Sequence, residues 1–184
     1  MLQKEKRKIL LMALAYWFLA EFCSLMVCVC LMFTQAMGVL ANIIFGTCAF
    51  LVLVLLFVDF SLKKGTHLRK TINSLQQPEL FEKNKNFGII IGLVGTIPCY
   101  ITGFVNLLSR LGVIGNFQPF YKLLNLYFMP YFDLVAHSAD IMDMSYFGFI
   151  FIFLMPLSVP IASQIAYRIG YNNIDLVDNI VYKK

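Results

Sequence analysis

Ile9-Leu-Leu-Met-Ala-Leu-Ala-Tyr-Trp-Phe-Leu-Ala-Glu21-Phe-Cys-Ser-Leu-Met-Val-Cys-Val-Cys-Leu-Met-Phe33 carries a single charged side chain, Glu21, from end to end. Its apolar residues fall on every face of a helix rather than on one stripe, the pattern of a helix surrounded by lipid. At 1.5 Å per residue the run reaches about 37 Å, enough to cross a hydrocarbon core of about 30 Å with some tilt. The stretch therefore sets the expectation for the whole chain, an all-α integral membrane protein.

The N-terminal flank tests that expectation. Lys4, Lys6, Arg7 and Lys8 resemble the basic region of a secretory signal. The apolar run that follows is longer than the roughly 7–15 residues of a signal core, and no A-x-A cleavage pattern ends it. In Leu19-Ala20-Glu21-Phe22-Cys23 the positions before the cysteine are not small, so no lipoprotein box is present. The run reads as a retained first span.

Three more spans follow by the same reasoning, giving expected boundaries of 9–33, 39–58, 87–109 and 146–169 in one membrane domain covering 1–184. A polar loop is expected at 59–86, carrying Lys63, Lys64, Arg69, Lys70, Lys83 and Lys85. The segment 110–145 is the least regular. Within it, Asn116 to Phe132 is dense in Phe and Tyr. A straight fifth span over 120–139 would bury Lys122 and Asp133 around Pro130, at about 2.5–3.5 kcal/mol for each central charge. An interfacial or re-entrant aromatic segment between the third and fourth spans is expected instead. Gly170 is placed to cap the last helix.

Orientation follows from the cations. With four spans, the N-terminus, the 59–86 loop and the C-terminal tail share one side. Of the 15 Lys and Arg, only Arg110 and Lys122 fall on the other. The positive-inside rule then places both termini in the cytoplasm of a cell-membrane protein. The same distribution accounts for the net charge of +5, because the basic residues flank apolar runs instead of lining one face. No nucleic-acid partner is implied. Composition agrees: 60% of residues are apolar, 14% are charged and mean hydropathy is +0.76, against about 25% charged in soluble domains. Lys exceeds Arg, and Ile, Asn and Phe are plentiful, which fits an AT-rich bacterial genome.

Few side chains offer chemistry. Glu21 lies near the middle of the first span, where an ionised carboxylate is costly and normally faces the bundle interior. It reads either as a proton- or cation-handling group or as a neutral Glu hydrogen-bonded to a neighbouring helix. Pro98 and Pro156 reach the same depth, and a proline frees a carbonyl one turn back. Paired interruptions at mid-depth are a feature of transporters that bind cations, and Thr96, Tyr100, Thr102 and Ser158 offer oxygens nearby. Ordinary tolerated kinks are the plainer reading.

Asp133, His137 and Asp140 are spaced i, i+4, i+7, so a helix there would put them on one face, as a surface metal or acid–base site requires. A solvated helix face is the simpler account. Gly88, Gly92 and Gly95, the first two forming GxxxG, mark close helix packing; they lie inside an apolar span with no Lys-Ser or Lys-Thr after them. Cys23, Cys28, Cys30, Cys48 and Cys99 fall within spans and read as small apolar side chains. No HExxH, GxSxG or thiol pair is present, and no cofactor is expected.

These features leave a non-enzymatic membrane component, such as a subunit, assembly factor or immunity-type protein, as the leading expectation. A small transporter or channel subunit built around Glu21, Pro98 and Pro156 is the alternative. A membrane-surface enzyme using Asp133, His137 and Asp140 is a further one. The expected partners are the lipid bilayer and either a second copy of the chain or another membrane protein.

Overall fold

The computed structural model of the chain describes residues 2–34, 39–76, 79–128 and 140–172. Most of these are helical, and no strand occurs among them. Long helices α1 (Leu2–Thr34) and α2 (Val39–Ser74) are followed by a short α3 (Glu79–Asn84), and then α4 (Phe87–Arg110). A short α5 (Gln118–Leu123) and a 3-10 turn, Leu126–Phe128, come next. A second 3-10 turn, Ile141–Asp143, leads to α6 (Tyr146–Leu154), the 3-10 turn Met155–Leu157 and α7 (Ser158–Asn172). Four helical stretches are long and apolar enough to cross a membrane: Leu2–Val27, Gly46–Ser74, Glu79–Arg110 and Tyr146–Asn172, with mean hydropathies of 1.9 to 2.0.

The long helices contact one another in the cyclic order α1–α2–α7–α4. Glu5 faces His67 and Tyr16 faces Phe60, so α1 and α2 are antiparallel. Lys6 lies over the Phe87 ring at one end, while Glu21 approaches Cys99 further along, so α1 and α4 are parallel. Pairing of Gly88 with Tyr167, and of Tyr100 with Phe153, makes α4 antiparallel to the α6–α7 arm.

Small residues let these helices approach. A Cβ at Gly92 would meet the Pro160 backbone, and one at Gly95 would meet the Phe57 ring. A Cβ at Gly88 would press on Tyr167 and Gln164 of α7. The GxxxG surface therefore packs within the chain. In lipid, where side chains gain little from mutual burial, such close backbone approach is a main source of helix association.

The exterior of the bundle is rich in apolar side chains, and its largely apolar core is dotted with polar ones. Leu11, Phe18, Leu55, Ile101, Phe104, Ile150 and Ile161 point outward and are more than half exposed, while Ser24, Ser61, Asn106, Gln118, Asn125 and Ser163 are buried. A contiguous apolar exterior around a polar-dotted interior is what a lipid solvent selects.

Two expectations need correction. The second helix does not end near residue 58 but continues to Ser74, through half of the stretch read as a loop. Charged residues move a helix out of an apolar layer without ending it, and Lys63 supports it by an i, i+4 pair with Asp59 at 2.7 Å. Gly65, the weakest helix former there, is needed for contact with the backbone of Tyr167 and Tyr171. Gly170 is likewise no cap. It lies inside α7, and a side chain there would collide with the Leu62 carbonyl of α2. The glycine that closes a helix is Gly112, at φ +74°, where Gly112 N–H returns to the Ser109 carbonyl at the end of α4.

Candidate functional site

After α4 the chain turns back on itself. Ser109 organises the reversal: its hydroxyl donates to the Gly115 carbonyl at 2.8 Å and accepts from Phe117 N–H at 2.9 Å. Pro119, near the start of α5, costs nothing, since first-turn N–H groups have no helical partner. From there residues 118–128 enter the bundle. Gln118, Tyr121, Asn125, Tyr127 and Phe128 are essentially fully buried. Residues of α5 pack on α4, while the Leu126–Phe128 turn packs on both α1 and α2. The segment is thus a wedge between the α1–α2 hairpin and α4. No straight fifth helix starts at Phe120, because α5 stops at Leu123.

Polar groups hold the tip of this wedge. Trp17 on α1 donates its indole N–H to the Tyr127 hydroxyl at 2.7 Å. Tyr127 donates to Asn125 Oδ1 at 3.3 Å. Asn125 Nδ2 donates to the Thr102 hydroxyl at 3.0 Å and to the Tyr121 carbonyl at 2.9 Å. Thr102 completes the series by donating to the Pro98 and Cys99 carbonyls of α4 at 3.0 and 2.9 Å. Apart from the branch to Tyr121, the donors run one way, from α1 through the wedge to α4. Such series reinforce their members in a low-dielectric interior. The buried Cys99 thiol sits against the hydroxyls of Tyr121 and Tyr127.

Glu21, one turn beyond Trp17, fastens the same turn. Its Oε2 accepts from Leu126 N–H at 3.3 Å. Its Oε1 is buried with no hydrogen-bond partner, as is the hydroxyl of Ser24 one turn further along α1. A second anchor lies nearer the end of α4, where Asn106 Nδ2 donates to Gln118 Oε1 at 2.7 Å between two fully buried amides.

The expected site residues separate into groups. Glu21 and Thr102 are joined through the wedge. Thr96 turns back to the carbonyls of Gly92 and Leu93 on its own helix, and Ser158 to Met155. Pro98 is accommodated inside α4. Pro156 lies buried in a 3-10 turn that packs on α4, α6 and α7. Tyr100 stacks with Phe153, and its buried hydroxyl has no partner.

Asp140 is exposed, and its carboxylate accepts from Met142 N–H at 3.0 Å, capping the turn at Ile141–Asp143. Asp133 and His137 lie outside the described residues. Among the described residues, no three His, Cys, Asp or Glu gather as a metal site would require.

Sequence reasoning missed Trp17, Tyr127 and Asn125 as a unit. One signal was available: Trp17 and Glu21 are i, i+4 and share a helix face, and a buried indole N–H requires an acceptor. The pairing with residues 110 positions away was not deducible.

At the opposite end of the bundle, Gln164 of α7 serves α4 as a remote cap. Its Oε1 accepts from Ile89 N–H at 2.9 Å, and its Nε2 donates to the Lys85 carbonyl at 3.1 Å. Tyr167 and Tyr171 donate to the carbonyls of Asn84 and Phe81. This network anchors the α3–α4 corner.

No family model, curated protein or solved structure matches the chain.

Proposed function

We propose that this chain is a multi-pass protein of the cell membrane, four helices crossing the bilayer with both termini in the cytoplasm, and that it serves as a non-enzymatic membrane component: a subunit, assembly factor or immunity-type protein. One observation carries this reading. The polar side chains at mid-bundle, Trp17, Tyr127, Asn125 and Thr102, are engaged in fastening the chain's own wedge rather than in lining an open cleft. A membrane protein built to present a fixed shape to a partner needs such internal bolts; in lipid, interhelical hydrogen bonds and close packing supply the rigidity. Support for the membrane position is the apolar exterior and the four long apolar helices. Support for the orientation is the charge asymmetry.

The second reading, a small transporter or channel subunit with its site at Glu21, is favoured by the buried Oε1 that has no partner, next to the equally unpartnered Ser24 hydroxyl. Buried acceptors of this kind are uncommon and invite a proton or cation. Thermal unfolding of the purified wild type and Glu21→Gln, with and without Na⁺, K⁺, Mg²⁺ and Zn²⁺, separates the two. The component reading expects both proteins to respond alike to every ion. A cation-dependent rise in melting temperature confined to the wild type would displace it in favour of transport.

A further inference from the structure

At the end of the bundle that carries most of the cations, α1 and α2 together line a half-open cavity of about 290 Å3. A water occupies about 30 Å3 in the liquid, so the space holds a group the size of a phosphate with part of an organic substituent. Glu5, Lys8, Ile9 and Met12, on one face of α1, line one side. Lys64 and His67, three apart on α2, line the other. Positions three and four apart share a helix surface, so both walls are built by single faces.

Charge in the cavity is unbalanced. Two ammonium groups, Lys8 and Lys64, face one carboxylate, Glu5, whose Oε2 lies 3.7 Å from His67 Nε2. Lys8 and Lys64 have no carboxylate partner among the described residues, and Lys64 instead rests its ammonium over the Phe60 ring at 5.4 Å. Lys63, the neighbour of Lys64, points elsewhere and is paired with Asp59. Beneath the charged rim, Ile9 is buried and Met12 is half-buried, giving an apolar floor. Two unpaired ammonium groups from different helices above an apolar floor are complementary to an anion that is itself amphipathic.

We propose that this cavity is a binding site for a phosphate-bearing anion, with Lys8 and Lys64 as its charge partners and Ile9 and Met12 contacting the apolar part of the ligand. Two sources share this chemistry, the headgroup of an anionic phospholipid and a soluble phosphate compound. The position of the cavity, where the apolar faces of α1 and α2 give way to charge, suits headgroup depth. The inference does not depend on the role of Glu21.

The test uses the full chain purified in nanodiscs of phosphatidylcholine, to which phosphatidylglycerol is added within the bilayer or inorganic phosphate is added from solution. Thermal stability is followed for the wild type, for Lys8→Gln/Lys64→Gln, and for the charge-matched control Lys4→Gln/Lys70→Gln. A saturable stabilisation is expected in the wild type and the control, with half-saturation about thirtyfold weaker in Lys8→Gln/Lys64→Gln. A response to phosphatidylglycerol alone assigns the site to lipid; a response to inorganic phosphate as well assigns it to the phosphate group from either source. Equal weakening in both double variants, or no response to either probe, would overturn the proposal by reducing the site to a diffuse basic surface. Lysine acetylation of the unmutated protein provides a check free of folding effects. Bound ligand should protect Lys8 and Lys64 and leave Lys4 and Lys70 reactive, whereas uniform protection or none refutes a discrete site.

Discussion

The indole N–H of Trp17 and the hydroxyl of Tyr127 meet at 2.7 Å in the interior of the bundle, joining α1 to a turn 110 residues later in the chain. Both side chains are buried, and the hydroxyl goes on to donate to Asn125. This contact turns an aromatic segment into a fixed part of the helix bundle. Replacing Trp17 by Phe leaves the Tyr127 hydroxyl without its donor; replacing Tyr127 by Phe leaves the indole N–H unsatisfied. Each change should destabilise the protein by about 1–3 kcal/mol. In a double-mutant cycle, Trp17→Phe and Tyr127→Phe should couple by about 1 kcal/mol, within the range measured for hydrogen bonds between membrane helices. Reversible unfolding in mixed micelles provides the reading, and a coupling indistinguishable from zero would separate the two residues energetically.

Glu21 should hold the wedge by its acceptor oxygen rather than by its charge. Glu21→Gln keeps an acceptor for Leu126 N–H, whereas Glu21→Leu removes it and strands a buried donor. Amide hydrogen exchange over residues 124–128 is therefore expected to stay slow in the Gln variant and to accelerate about tenfold or more in the Leu variant, one decade for each 1.4 kcal/mol of lost closing free energy. Equal exchange in the two variants would show that the wedge is held by packing alone.

Fold class was legible because it depends on a one-dimensional property. A long apolar run such as Ile9–Phe33, with Glu21 its single charge, needs no knowledge of its neighbours to be read as a span. The packing role of Gly88 and Gly92 was also readable, though not the identity of its partners, Tyr167, Gln164 and Pro160. Helix ends were harder to place. The boundary of α2 was set at the first charge, but charge reports the edge of an apolar layer and not the end of a hydrogen-bond ladder, which runs on to Ser74. At the candidate site, Glu21 was singled out by the cost of its burial. Its connection to Leu126, and the Trp17–Tyr127–Asn125–Thr102 series, are long-range pairings that no local period encodes.

Topology can be read with two reporters. Val113 and Ile114 stand exposed in the turn after α4, and neither carries the Ser109 contacts to Gly115 and Phe117, so an insertion between them should leave the bundle intact. Alkaline phosphatase inserted between Val113 and Ile114 should be active, since the positive-inside rule puts this turn outside. A green fluorescent protein fused after Lys184 should fluoresce in the cytoplasm. An inactive phosphatase in this turn together with a dark C-terminal fusion would invert the orientation proposed above.

Gly92 and Gly103 lie on the same helix but face different surroundings, which makes them a paired test of the packing. At Gly92 a methyl group would run into the Pro160 backbone, and no rotamer change can move backbone aside. At Gly103 the nearest atoms belong to the Phe153 ring at 3.5 Å, an ordinary contact distance. Gly92→Ala should therefore force α4 and α7 apart, at about 1–3 kcal/mol. Because α7 also carries Gln164, which caps Ile89, and Tyr167, which holds Asn84, that displacement should loosen the α3–α4 corner and speed proteolysis there. Gly103→Ala should be neutral or stabilising by up to about 1 kcal/mol, because alanine favours a helix over glycine. Comparing the melting temperatures of the two variants checks the α4–α7 contact directly. If both alanines are equally tolerated, the close approach at Pro160 is wrong and the GxxxG surface is free to face another molecule.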